Sequence, residues 1–255
     1  MWPLLAIVIV IVCGFFIAFR AKPTVPLSKE GRETLASRVG YFARLPSDAQ
    51  ARFVREAERF LADHHISGPR DAEVSDELKA LVAASAVILM FGRKGFVYPR
   101  TRDIVVYDDA FNDEYNVGPS ERFIGMVHGR GPILFSARAL REAFERPRDG
   151  IHVGLHEFAH VIDFDAGAAD GVPSMMPWRA VEPWLALMHS ETRRIRRRRS
   201  VLGQYAATNE AEFFAVATEV FFEKPNELKR KHAELYAVLA SVYGQQPADA
   251  PLAGE

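Results

Sequence analysis

The chain is poor in cysteine. Cys13 is the only one among 255 residues, so no disulfide framework and no thiolate metal site can form within one chain. A metal would have to be held by His, Glu or Asp. An excess of either charge is also missing. The chain carries 32 Lys+Arg against 33 Asp+Glu, a formal net charge of −1, so overall charge gives no reason to expect a nucleic-acid partner. Internal repeats are absent, and long apolar runs are scarce. LVAASAVILMF (81–91) suits a buried helix but is too short to span a bilayer.

One run is long enough. Trp2–Phe19 reads WPLLAIVIVIVCGFFIAF without a charge. At about 1.5 Å per residue it would span roughly 27 Å as a helix, close to the bilayer's hydrocarbon thickness. No basic residue precedes it, and Ala18-Phe19-Arg20-Ala21 is a poor cleavage site, so an uncleaved transmembrane anchor is expected over 1–22. Arg20, Lys22, Lys29 and Arg32 follow, which by the positive-inside bias puts the remainder on the cytoplasmic side of the inner membrane. A proline-bearing linker (23–30), a catalytic domain (31–244) and a disordered tail (245–255) complete the expected organisation.

Within the domain, Phe53, Ala57, Phe60 and Leu61 recur at helical spacing behind Pro46-Ser47-Asp48, and a second helical pattern runs from about Glu73 to Met90. The texture then changes. Residues 104–107 (IVVY), 122–127 (RFIGMV) and 132–136 (PILFS) read as strands between Asp/Asn/Gly segments. Helices are expected again over 137–146, around 156–160, and over 179–198, 209–223 and 226–242. The fold class is α+β: a mainly helical domain with a small sheet gathered before the 156–160 helix.

That helix carries His156-Glu157-Phe158-Ala159-His160. Two histidines four apart share one helix face, so one Zn²⁺ can take a nitrogen from each, and Glu157 can reach a water on the metal's open side. Chance alone would place H-E-x-x-H in roughly 2 of 100 such chains, so the surroundings must decide. They are apolar: Ile151, Val153 and Leu155 before, Phe158, Val161 and Ile162 within and after. Burying these polar groups without partners is costly, and a metal removes that cost. The reading is a zinc-dependent hydrolase, most naturally a peptidase.

A catalytic zinc site needs a third protein ligand. A histidine six residues past the motif is excluded, because Asp163 and Ala166 stand where the three-histidine class has Gly and His. The apolar helix over 209–223 offers Glu212 and Glu219, two turns apart on one face. With Asn209 as N-cap, Glu212 also falls where a capping box would use it. Spacing leaves both carboxylates open.

HEFAHVID, the preceding GPILFS and the later YAATNEAEFFAVATEVFFEKP resemble the Mlc titration factor A family of zinc peptidases, over most of 31–244. The resemblance implies one Zn²⁺ held by His156, His160 and Glu212 in a zincin-like fold of gluzincin type. It implies Glu157 as general base, and Tyr205 as an active-site hydroxyl, as in the related catalytic domain of anthrax lethal factor. Aminopeptidase-like activity on a peptide or protein substrate is implied, and so is a second role, sequestering a transcriptional repressor of sugar uptake. Two departures stand out: the hydrophobic N-terminus, and Glu210 where the family commonly has proline. Asp163 reads equally as a histidine-orienting acceptor or a solvated helix end, and His152 as a packed residue. The run Arg193–Arg199 reads as a solvated helix face, with anionic lipid as its functional alternative.

Overall fold

A computed structural model describes residues 24–249, apart from 97, 99–102, 113–114, 119–121, 128, 130 and 166. The expected anchor over 1–22 lies outside the described residues. Among those described, no helix is long and apolar enough to cross a membrane.

The chain opens with α1 (Lys29–Arg38), where Ser28 accepts the Gly31 N–H at 3.1 Å and so satisfies a donor that the first turn leaves free. After the short α2 (Gly40–Ala43) comes α3 (Ser47–Asp63), whose buried stripe is Phe53, Ala57 and Phe60, the periodic residues read from sequence. Next is α4 (Asp76–Met90), capped by Ser75 and buried over nearly all its length. It is the central helix, in contact with α1 and α3 on one side and the motif helix on the other.

Four short strands follow the order β1-β2-β4-β3: β1 (Ile66–Ser67), β2 (Ile104–Tyr107), β3 (Gly125–Val127) and β4 (Ile133–Ser136). The sheet is mixed. β1, β2 and β4 run parallel, and β3 is antiparallel to β4 at the edge, with Met126 opposite Leu134. β4 leads directly into α5 (Ala137–Glu145), because Ser136 ends the strand and caps the helix through the Ala139 N–H.

The motif helix is α6 (Val153–Phe164). Phe158 holds it in place: its ring, fully buried, packs on Phe60 of α3 at 5.6 Å and Phe135 of β4 at 5.9 Å. A buried phenylalanine of this kind is worth about 3 kcal/mol or more against truncation to alanine. Gly154 lets α6 cross α4 closely, since a Cβ there would collide with the Ser85 hydroxyl. Beyond lie α7 (Trp178–Arg196), a 3₁₀ turn (Gln204–Ala207), α8 (Glu210–Glu223), α9 (Pro225–Lys231) and α10 (Ala233–Tyr243). α8 packs along α6, burying Phe213, Phe214 and Phe221.

Five differences from the sequence reading have physical causes. β1 was not expected, because two residues carry no periodicity. In 122–127 only the last three residues join the sheet, Phe123 instead bridging to Phe111. The helix expected over 226–242 is two helices, broken at His232, whose backbone leaves the helical region (φ −139°, ψ 56°) while its ring turns inward. The segment expected as a disordered tail starts with packed residues: Gln245 donates to the Ile88 and Leu89 carbonyls and accepts from the Tyr41 hydroxyl. The linker also differs, since Val25 and Leu27 donate backbone N–H groups to Glu58 of α3.

Candidate metal centre

α6 and α8 face each other, and that places two histidines from one opposite a carboxylate from the other. His156 Nε2 lies 3.1 Å from Glu212 Oε2 and 3.2 Å from His160 Nε2, while His160 Nε2 lies 3.6 Å from Glu212 Oε2. Four tetrahedral ligands about 2.0–2.1 Å from one ion stand roughly 3.3 Å apart, so these spacings fit three corners of such a site. The buried Glu212 Oε2 has no aligned hydrogen-bond donor, the condition of an oxygen awaiting a cation. Two imidazoles and a carboxylate are a donor set for a divalent transition ion.

The charges agree. Burial would raise the Glu212 carboxyl, yet the imidazoles of His156 and His160 hold it well below the usual carboxylate range. Burial would lower the His156 pKa, yet Glu212 and Glu219 push it up to about 10. A divalent ion at this point would neutralise the same carboxylates.

The two candidate carboxylates divide the work. Asn209 caps α8 through the Glu212 N–H at 2.9 Å, but the Glu212 side chain turns to the histidines, so only half of a capping box forms. Glu219, two turns on and buried, meets the other nitrogen of His156: its Oε1 lies 2.7 Å from Nδ1, and its Oε2 accepts the His152 backbone N–H at 2.5 Å. Such a partner fixes the ring so that Nε2 points at the site. The sequence reading weighed Glu219 only as a ligand. Its place on the ligand face of a buried helix was the signal for the orienting position.

Glu157 is buried beside the edge strand. Burial pushes its pKa up to about 8, moderated by His156 and reinforced by the charges of Glu212 and Glu219. A Cβ at Gly125 would stand 2.5 Å from Glu157 Oε1, so this position leaves room for the carboxylate by having no side chain. Gly125 escaped the sequence reading, although a glycine inside RFIGMV is the usual mark of a close approach.

Tyr205 sits in the 3₁₀ turn, exposed, its ring 6.1 Å from that of His156. Burial of its hydroxyl and the nearby Glu212 carboxylate push its pKa up to about 12. Asp163 is neither a solvated helix end nor a recorded partner of a histidine. It is fully buried and accepts the Gly171 N–H at 2.9 Å, fastening the loop that leads to α7. His152 is the N-cap of α6, its Nδ1 accepting the Leu155 N–H, and its ring meets Phe144 edge-on. The arginines of the 193–199 run are all exposed, while Ile195 among them is buried.

A mainly helical α+β domain with this donor set on its central helices defines a metallopeptidase-type protein. The chain belongs to the glucose-regulated metallo-peptidase M90 family, which matches residues 18–244. An uncharacterized protein of Synechocystis sp. is 31% identical over 236 residues, covering 87% of this chain and 86% of that one. Mlc titration factor A of Escherichia fergusonii is 29% identical over 220 residues (80% and 82% of the two chains), and that of Salmonella arizonae 29% over 222 (80% and 86%). The resemblance read from HEFAHVID and its neighbours therefore holds.

Proposed function

We propose that the chain is a zinc-dependent peptidase in which His156, His160 and Glu212 hold the ion, Glu157 is the general base and Tyr205 steadies the developing oxyanion. The observation that carries this reading is the convergence of three donor atoms at 3.1, 3.2 and 3.6 Å. Zn²⁺ in such a site supplies Lewis acidity at the substrate carbonyl and lowers the pKa of water towards about 7. Glu157 takes the water proton at a carboxylate oxygen and delivers it to the leaving amine. Its apolar burial supports this exchange, because a carboxyl held near neutrality both accepts and returns a proton. The Tyr205 hydroxyl, beside Glu212, donates to the oxygen that gains charge, a contribution of about 3 kcal/mol for one such donor. β3 is the last strand of the described sheet and contacts α6, so an extended peptide can add along its free edge, with Gly125 opening the way to Glu157.

Metal analysis of the full chain should find one zinc per molecule. Glu157→Gln should keep that zinc and lower peptide hydrolysis by about 10²–10⁴-fold. Undiminished turnover in this variant would end the reading. Peptides with free and blocked N-termini decide whether cleavage is aminopeptidase-like.

A second reading, capture of a protein partner, is favoured by the name of two relatives, Mlc titration factor A. The same variant separates the two, since capture needs the surface and not the base. The apolar run over 2–19 and the basic residues after it support an inner-membrane anchor with the domain on the cytoplasmic side. Fractionation of the full chain against one lacking residues 1–22 tests that placement.

A further inference from the structure

A cavity of about 650 Å³ lies off the metal-binding face of α6. It touches His152 and Leu155 but none of His156, Glu157 or His160, and is bordered by α2, α5 and the α8–α9 junction. Its volume is typical of small-molecule sites, commonly about 300–1,000 Å³. Its interior is apolar, with Ile88, Phe144, Leu155 and Phe222 among the walls. Its charged groups are mostly cationic. Of the five, Arg38 is committed to Glu77 at 2.9 Å and Glu145 at 3.3 Å. Arg44, Arg148, Lys224 and Arg230 form no ion pair among the described residues.

The acids answer them only in part. Glu227 pairs with Lys231 at 2.6 Å, outside the cavity lining. Glu223 accepts the Arg148 backbone N–H at 2.5 Å, and burial pushes its pKa up to about 7, so its charge is only partly available. Arg148 is held at φ +77°, a left-handed conformation that costs a residue with a side chain of order 1–3 kcal/mol. Burial and the neighbouring Arg148 lower the pKa of Arg44, and Tyr41 and Glu223 only partly offset them.

We propose that this cavity binds a small free anion with an apolar body, a carboxylate or phosphate head taken by Arg44 and Arg148 and a hydrocarbon portion laid against Phe144 and Leu155. Guanidiniums grip either head bidentately. The site is separate from peptide hydrolysis and stands whether or not that reading holds.

Equilibrium dialysis of the full chain with radiolabelled decanoate tests it. Saturable binding near one per chain is expected, with decanol and inorganic phosphate each at least about tenfold weaker, because one lacks the charge and the other the apolar body. The double reversal Arg44→Glu/Arg148→Glu should weaken decanoate by at least about tenfold, while Arg197→Glu/Arg199→Glu, outside the cavity, should not. Should the double reversal fail to fold, Arg148→Gly removes one guanidinium and suits the positive φ, and it too should weaken binding. Absence of saturable binding up to about 1 mM, equal binding of decanol, or unchanged binding in the cavity variants would overturn the site.

Discussion

Among the described residues two buried histidine–carboxylate groups stand out, and only one of them is a candidate metal centre. At the first, His156, His160 and Glu212 aim their atoms at one shared point. At the second, His232 Nδ1 lies 2.7 Å from Glu191 Oε2, and its Nε2 accepts the Val201 N–H at 3.3 Å, with the Ser200 hydroxyl at 3.5 Å. Glu191 Oε1 in turn accepts from Arg194 at 2.9 Å. Here each nitrogen has its own neighbour inside the protein. The group ties the arginine-rich end of α7 to the break between α9 and α10. Residue types are nearly the same at both places. What differs is convergence: three donor atoms meet at one point in the first, whereas the second sets one histidine against one carboxylate.

Removing a ligand or removing a knot should therefore fail in different ways. Glu212→Ala should abolish stoichiometric zinc, measured by plasma mass spectrometry, and leave the fold's circular dichroism intact. His232→Ala should do the reverse. It leaves Glu191 buried with Arg194 as its remaining partner and should cost about 1–3 kcal/mol in urea unfolding, with zinc content per folded chain unchanged. Loss of zinc in His232→Ala would erase the distinction.

A pH-dependent effect separates the ligand helix from its cap. Burial pulls the His152 pKa down to about 4, from an ordinary value of 6.5. A histidine whose folded pKa is depressed binds its proton more readily when unfolded. The stability it permits is complete above pH 6.5 and is lost as pH falls towards 4, by about 3 kcal/mol. His152→Asn keeps a capping oxygen for the Leu155 N–H and cannot titrate, so its stability should decline less over that range, by urea midpoints at successive pH values. Parallel curves would show that another group governs the acid limb. The mildest change is Glu219→Gln, which keeps an acceptor near His156 but removes the charge. Zinc affinity in competitive chelation should fall by about 10–100-fold, without loss of the site.

Much of the site could be read before the fold was known, because His156, Glu157 and His160 lie within one helical turn. Glu212 was harder. It lies over fifty residues away, and spacing alone weighed it against Glu219; only the likeness of the AEFFAV segment chose between them. The positions of Gly125 and Glu219 depend on a strand edge and a helix face meeting α6, information that no local pattern holds. The helices were legible where apolar spacing and caps agreed, as at Ser75 and Ser136. They were misjudged at His232, where a buried ring overrides the helical pattern across it.

Gly125 makes the Glu157 carboxyl group sensitive to a part of the chain some thirty residues away from it. One added methyl on that strand would press on Glu157 and on Val153 of α6 without changing any residue of the motif. A survey of inactive but well-folded variants should therefore recover changes at 125 beside those in the motif, a lesion in the sheet that mimics a lesion in the helix.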